Sequence, residues 1–321
     1  MAAQTAPEQA LAWIDAGQRV ALATVIETWG SAPRRVGAQL VVSGEGQMEG
    51  SVSGGCVEGA VVIEALEALE QGGTRLLEYG VSDGDAFAVG LACGGTIRIL
   101  VEPVGEAGMP EAMLRDLVAA RAGRHPVAYE VALDGSARRL VHEGHEDRFR
   151  MDRSGVDADG ETFIAIHNPP LRLIVVGGVH IAQHLVGMAR STGFDPVVVD
   201  PREAFGAQAR FPDARVINDW PDAALEAIGL DARCAVVLLT HDPKLDDPAI
   251  TCALRSKAFY IGALGSTRTH GARVARLAEA GFAEHEIGRI HGPIGLNIGA
   301  AGPAEIAVAI LAEMIQTLRQ S

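Results

Sequence analysis

The chain has 321 residues, enough for two domains of ordinary size, and its 48% hydrophobic and 21% charged composition is typical of a globular protein. The formal net charge of -14 argues against nucleic acid as a partner, because neutralising phosphates requires a basic surface, and it equally argues against an anionic membrane. Residues 1–10 show no basic-then-apolar leader, and the apolar runs are far shorter than a membrane span.

The number and spacing of the cysteines indicate whether the protein resides in a reducing or an oxidising compartment. Cys56, Cys93, Cys234 and Cys252 are widely spaced and form no C-x-x-C pair. In a chain of this length, that pattern favours reduced thiols in a cytoplasmic protein over a disulfide framework.

The first half of the chain combines short strand-like runs with two helical patterns. An apolar stripe at helical spacing runs from Val57 to Leu69, and residues 111–121 predict a second helix. Residues 134–160 are polar and predict hairpins or loops. We therefore expect an N-terminal mixed α+β domain over residues 1–168. Its predicted strands are residues 20–28, 38–43, 96–102 and 126–133.

After Pro170 the pattern becomes a regular alternation of apolar strands and helices. The strands are mostly apolar, as expected of parallel strands covered on both faces. This pattern predicts a Rossmann-like doubly wound parallel-sheet domain over residues 169–321. A closing helix begins at Pro303 and carries an apolar stripe of Ile306, Ile310 and Met314. This apolar C-terminal helix could support a homodimer. The predicted strands are residues 171–176, 196–199, 215–217, 234–240 and 258–261.

A glycine turn opens the second domain. Gly177-Gly178-Val179-His180 follows its first strand, and Asp200-Pro-Arg202 closes the next one. A dinucleotide-binding unit has this arrangement, with phosphate at the helix start and a carboxylate for the ribose. Val179 replaces the second glycine of the fingerprint, and its side chain should crowd a pyrophosphate. An NAD(P)-dependent oxidoreductase is therefore the disfavoured alternative.

Three further loops of this domain carry polar residues. His241 follows a strand, Ser266 or Thr267 could cap a helix, and His291 lies in a second glycine turn. Because ligands bind at the carboxyl ends of parallel strands, we expect His241, Ser266 and His291 to converge on the same crevice as His180.

The first domain has its own candidate site. Arg34 stands on a rigid turn suited to an anion. Ser53, Gly54, Gly55 and Cys56 lead into a helix whose free N–H groups should favour an anion or a thiolate. Glu58 either stabilises the helix start or accepts a hydrogen bond from a ligand.

A second cysteine repeats the association with paired glycines. Cys93, Gly94 and Gly95 precede a predicted strand. If Cys56 and Cys93 face each other, they could bind a soft metal or a sulfur centre, which leaves open a redox or metal-binding regulatory module. Two buried cysteines that merely fill space are the alternative.

In this order the motifs resemble those of the XdhC/CoxI family, the accessory factors of xanthine dehydrogenase. The resemblance covers nearly the whole chain and rests on the motifs that begin at Gly30, Gly50, Cys93, Gly177, Asp200, Thr240, Tyr260, His291 and Pro303.

The resemblance implies a non-enzymatic chaperone of the molybdenum cofactor, carried as molybdopterin or in a nucleotide form. Such a chaperone protects the cofactor while a cysteine desulfurase supplies its sulfido ligand, and inserts it into apo-xanthine dehydrogenase or a related molybdoenzyme. It also implies that Cys56 and Cys93 lie near the molybdenum centre.

Overall fold

The computed structural model describes residues 5–30, 34–80 and 95–320. The chain divides into two compact units, Met1–Pro169 and Pro170–Ser321. Over the described ranges, no helix is both long and apolar enough to cross a membrane.

The helices are α1 (Ala6–Asp15), α2 (Glu58–Gln71), α3 (Glu111–Ala122), α4 (Glu146–Met151), α5 (His180–Ser191), α6 (Pro221–Ile228), α7 (Pro243–Leu254), α8 (Thr267–Glu279), α9 (Glu284–Ile287) and α10 (Pro303–Gln320). The strands are β1 (Val20–Trp29), β2 (Gln39–Ser43), β3 (Met48–Gly50), β4 (Arg75–Tyr79), β5 (Thr96–Pro103), β6 (Val127–Ala132), β7 (Arg138–Val141), β8 (Gly155–Val156), β9 (Thr162–His167), β10 (Leu171–Val176), β11 (Phe194–Val199), β12 (Arg215–Ile217), β13 (Cys234–Leu238), β14 (Tyr260–Ala263) and β15 (Ile290–His291).

The N-terminal unit is built on an antiparallel sheet with the strand order β3-β2-β1-β5-β4. Helix α2 covers one face and packs Val61 and Ala65 onto it. Helices α1 and α3 and a smaller antiparallel sheet, β7-β6-β9-β8, cover the other face. Because both faces are buried, β1 is apolar along most of its length instead of alternating. The predicted mixed α+β fold is confirmed.

The polar stretch of residues 134–160 contains more regular structure than loops alone. It holds β7, the six-residue helix α4 and the two-residue strand β8. Elements this short do not complete enough turns or alternations to give a periodic sequence pattern, and this explains why the sequence predicts only hairpins or loops there.

The C-terminal unit is a parallel sheet with the order β12-β11-β10-β13-β14-β15. Helices α5 and α10 pack on one face, and α6, α7 and α8 pack on the other. The predicted Rossmann-like domain is confirmed. Edge strand β15 was not predicted, because two residues are too few to show a pattern.

The apolar stripe of α10 lies inside its own unit. Ile310 and Met314 are fully buried, and Ile306 packs against the same core. These three side chains therefore cover the parallel sheet of their own unit, and the homodimer stays a prediction.

Candidate functional site

The loop between β3 and α2 is closed around a carboxylate of its own chain. Glu58, only 6% exposed, accepts hydrogen bonds from the Ser51 hydroxyl at 2.8 Å and from the backbone N–H groups of Ser53 and Gly55, each at 2.8 Å. The Ser53 hydroxyl and the Val52 N–H also donate to it. Together these bonds fill the acceptor capacity of the carboxylate and fix the path of the loop.

The charge of Glu58 is stabilised by the same bonds. Burial alone would raise its pKa, but the hydrogen bonds from Ser53 and Ser51 outweigh that effect and lower the pKa to about 2. Glu58 is thus ionised at neutral pH. Of the two roles that the sequence leaves to Glu58, the geometry supports the one that holds the loop and the helix start.

The N–H groups of the loop that leads into α2 are bound by the chain itself. The Ser53 hydroxyl accepts from the N–H groups of Cys56 at 3.0 Å and Val57 at 2.9 Å, and Glu58 accepts from those of Ser53 and Gly55. Val57, the N-cap of α2, forms no side-chain cap, and an anion at the start of the helix stays a prediction. The loop exposes the free thiol of Cys56. Gly54 and Gly55 have φ of 75° and 110°, which favours glycine.

A cavity of about 360 Å³ adjoins this loop within the N-terminal unit, and we call it the N-terminal cavity. Arg34 lines it and donates from Nε to the Ser51 carbonyl at 3.3 Å, so that the arginine turn contacts the loop. Arg121 of α3 and His167 of β9 also line it. The sequence analysis missed both, because only the fold brings them close to Arg34.

The second glycine-cysteine motif is described only in part. Gly95 is buried and directly precedes β5, whose Thr96 pairs with Trp29 at the end of β1. Cys93 and Gly94 lie outside the described residues, and the meeting of Cys56 with Cys93 stays a prediction. Across the ranges that the structure describes, no group of three or more His, Cys, Asp or Glu residues is placed to hold a metal ion.

The glycine turn of the C-terminal unit is occupied by a carboxylate as well. Asp200 is completely buried, and its Oδ2 accepts from the Gly178 N–H at 2.8 Å and from Arg202 Nη2 at 2.7 Å. Its Oδ1 accepts from the Arg202 N–H and Nε at 3.0 and 2.8 Å. Burial would raise the pKa of Asp200, but the bonds from Arg202 and Gly178 lower it. Its acceptor capacity is filled, so no lone pair is left for a ribose.

The glycines of this turn are required by close packing. A Cβ at Gly178 would lie 2.2 Å from the Phe205 carbonyl oxygen, and one at Gly177 would lie 2.7 Å from the Thr240 methyl group. Val179, in turn, packs against the apolar core of the unit. The glycines therefore accommodate neighbouring segments of the chain at the place where a dinucleotide fold receives a pyrophosphate.

The carboxyl ends of the parallel strands carry the predicted polar residues. His180 is exposed at the first position of α5, and His241 is exposed after β13 with φ of 60°. This left-handed conformation is uncommon for residues other than glycine, although histidine adopts it more often than most. Ser266 caps α8 by accepting from the Thr269 N–H at 3.2 Å, as one of the two predicted caps. The parallel topology brings these residues to one edge of the sheet.

His291 belongs to a network that the sequence analysis missed. Its ring stacks on Tyr260 with centroids 4.6 Å apart, and its Nδ1 lies 3.3 Å from Glu313. Glu313 also accepts from the Tyr260 hydroxyl at 2.5 Å and from the Gly295 N–H at 2.8 Å. Burial would raise the pKa of Glu313, but the bonds from His291 and Tyr260 lower it. The position of Glu313, directly beside Met314 of the apolar stripe of α10, is the sequence feature that could have indicated this network.

A buried ion pair supports the same edge of the sheet. Arg273, 2% exposed, donates to the Leu264 carbonyl at 3.1 Å and lies 3.8 Å from Asp246. The Thr240 hydroxyl donates to Asp246 at 2.5 Å and thereby fixes the residue that precedes His241.

These features define a class of protein with a Rossmann-like C-terminal domain whose glycine turn is closed by its own aspartate, and an N-terminal domain that displays a cysteine on a rigid loop. The family described as "XdhC and CoxI family" matches residues 13–80, and the domain described as "XdhC Rossmann domain" matches residues 173–314. The chain belongs to the XdhC/CoxI family.

Two relatives and one solved structure resemble this chain over most of its length. A protein of Escherichia coli strain K12 described as "Molybdenum cofactor insertion chaperone PaoD" is 32% identical over 298 residues, covering 93% of this chain and 83% of the relative. A Bacillus subtilis strain 168 protein, described as a probable xanthine dehydrogenase subunit, is 30% identical over 322 residues, covering 94% of each. A crystal structure described as a xanthine dehydrogenase from Bacillus halodurans superposes with a TM-score of 0.73 at 27% identity, covering 99% of this chain and 96% of that one.

Proposed function

We propose that the protein is a chaperone that binds the molybdenum cofactor, protects it during sulfuration and inserts it into apo-xanthine dehydrogenase or a related molybdoenzyme. One observation carries the proposal: the free, exposed thiol of Cys56 stands on a loop that Glu58 holds rigid. The membership of the chain in the XdhC/CoxI family and its similarity to PaoD of E. coli support the same function.

The chemistry of the loop fits this cargo. A thiol is a soft ligand, suited to a molybdenum centre that carries sulfur. A Cβ added at Gly55 would meet nothing within 4 Å, so the glycine leaves open space beside Cys56. The Arg34 guanidinium, which contacts the same loop, suits the phosphate of a molybdopterin. None of these groups requires a catalytic role, and we propose that the protein is not an enzyme.

We propose that the remaining site residues act in two ways. Ser53, Glu58 and Asp200 hold the loops in place, while Cys56 and Cys93 contact the metal centre. In the N-terminal unit, we propose further cofactor contacts from Arg34, Gly54, Gly55, Gly94 and Gly95. In the C-terminal unit, we propose a separate set of ligand contacts from His180, Arg202, His241, Ser266 and His291, while Gly177 and Gly178 make room for neighbouring segments of the chain.

The carboxyl ends of the parallel strands in the C-terminal unit carry residues that distinguish between possible nucleotide ligands. Because Asp200 and the Gly178 N–H satisfy each other, the geometry speaks against an NAD(P)-dependent oxidoreductase. The exposed His180 and His241 are the groups that we propose contact a nucleotide-extended cofactor. We further propose a cysteine desulfurase as a partner and a homodimer, for which exposed Val308 and Ile315 of α10 offer an apolar surface.

The test measures the cofactor carried by the protein. The chain is purified from a host that makes molybdopterin, and the pterin released after oxidation is quantified by fluorescence. We expect Cys56→Ser to lower the pterin content and the activation of apo-xanthine dehydrogenase by about tenfold, which corresponds to about 1.4 kcal/mol. The matched control is Cys252→Ser, a free and partly buried thiol of the other unit. Absence of pterin from the wild-type protein, or equal loading of the Cys56→Ser variant, would overturn the proposal.

A further inference from the structure

We propose that the N-terminal cavity binds a phosphate group, either as inorganic phosphate or as the phosphate of a monoester. Arg34, Arg121 and the uncharged side chain of His167 line the cavity together with the first residues of α1. The inference deepens the proposed function, from which it takes the role of Arg34 in binding a phosphate, and its test requires neither molybdenum nor a pterin.

The two arginines supply the positive charge. Arg34 donates from Nε to the Ser51 carbonyl, and within the described residues its two terminal nitrogens form no hydrogen bond. They can therefore form the planar fork that matches two phosphate oxygens. Arg121 is fixed by Glu8, which accepts from Nε at 2.7 Å, and by the Thr5 hydroxyl at 3.3 Å from Nη2. The Arg121 guanidinium is therefore oriented before a ligand arrives, which lowers the entropic cost of binding.

His167 is the observation that points to a ligand. It is 6% exposed and lines the cavity, and its Nε2 has no hydrogen-bond partner within the described residues. Burial and the positive charge of Arg121 lower its pKa to about 3, so the ring is neutral at physiological pH. A buried polar atom without a partner is costly, and a neutral imidazole with the proton on Nε2 donates a hydrogen bond to an anion.

The start of α1 adds to the positive potential. Thr5 is the N-cap of this ten-residue helix but forms no side-chain cap, and Thr5 and Ala6 both line the cavity. The uncapped N–H groups and the helix dipole favour an anion at this end. The opposing charges are Glu8, which Arg121 binds, and Glu49, which lines the cavity and is exposed.

The experiment is a calorimetric titration of the full-length protein with inorganic phosphate and with glycerol phosphate, at constant ionic strength. We expect saturable binding that Arg34→Gln weakens by about tenfold. Arg35→Gln is the matched control, because Arg35 is an exposed neighbour outside the cavity lining, and it should bind as the wild type does. His167→Phe should also weaken binding, and Glu49→Gln should strengthen it.

The relative affinities of the two probes identify the source of the phosphate. Tighter binding of glycerol phosphate identifies a monoester as the ligand, tighter binding of inorganic phosphate identifies the free ion, and equal binding supports recognition of the phosphate group that they share. No saturable binding of either probe, or an equal loss in the Arg34→Gln and Arg35→Gln variants, overturns the inference. Since Arg34 is exposed, its variant decides the question even if His167→Phe does not fold. A protein that binds phosphate here but carries no pterin would refute the proposed function alone.

Discussion

Replacing Glu58 by glutamine tests whether one carboxylate holds the Cys56 loop. The pKa of Glu58 falls from an ordinary value of 4.5 to about 2 in the folded protein. Each pKa unit is worth about 1.4 kcal/mol, so the charged carboxylate contributes about 3 kcal/mol to the free energy of unfolding. Because folding lowers this pKa, the contribution is complete above about pH 4.5 and is lost as the pH falls towards 2.

Urea unfolding, followed by tryptophan fluorescence, measures the effect at several pH values. We expect Glu58→Gln to lose about 3 kcal/mol at about pH 7, and the gap from the wild type to shrink to about 1.4 kcal/mol at about pH 3. Amide exchange at Ser53 and Gly55 should accelerate, since both donate to Glu58. The control is Glu70→Gln, which removes an exposed charge from the same helix. A variant as stable as the wild type near neutral pH, or a gap independent of pH, would refute the reasoning.

Two further predictions concern the C-terminal unit. Asp200→Asn removes the charge that is bound to Arg202 and places a neutral amide against the Gly178 N–H. Breaking a fully buried ion pair lowers the free energy of unfolding by about 3–5 kcal/mol. Because Arg202 is 38% exposed, we expect a smaller loss of about 2 kcal/mol. Denaturant unfolding checks it, and an unchanged midpoint would contradict it. Tyr260→Phe keeps the ring on His291 but removes a donor to Glu313, so we expect a loss of about 1 kcal/mol and a higher pKa for Glu313. A titration of Glu313 followed by NMR measures that pKa, and an unshifted value would show that the hydroxyl does not stabilise the charge.

Elements with a long and strongly apolar sequence pattern are predicted more accurately than elements with a weak one. The mostly apolar run of β10, which only Arg172 interrupts, is predicted to its exact ends, because a parallel strand buried on both faces gives a nearly continuous apolar pattern. Helix α1 was missed, since its buried side is made of small residues, Ala6 and Ala10, that give a weak apolar pattern. For the candidate site, local motifs indicated Arg34 and Cys56. Arg121 and His167 lie on other elements without a motif, and only tertiary packing brings them to the same cavity.

In both glycine turns of this chain, a buried acid of the same chain accepts hydrogen bonds from backbone N–H groups of the turn. A glycine turn before a helix predicts an anion-binding cradle, because its N–H groups point into one space. Here the chain supplies its own acceptor for N–H groups of each turn, Glu58 in the N-terminal unit and Asp200 in the C-terminal one. The acids give each turn a fixed shape, and in the N-terminal unit this holds Cys56 at a constant position. These N–H groups are then not offered to an outside anion, and in the N-terminal cavity we infer that role for Arg34, Arg121 and His167 together with the start of α1.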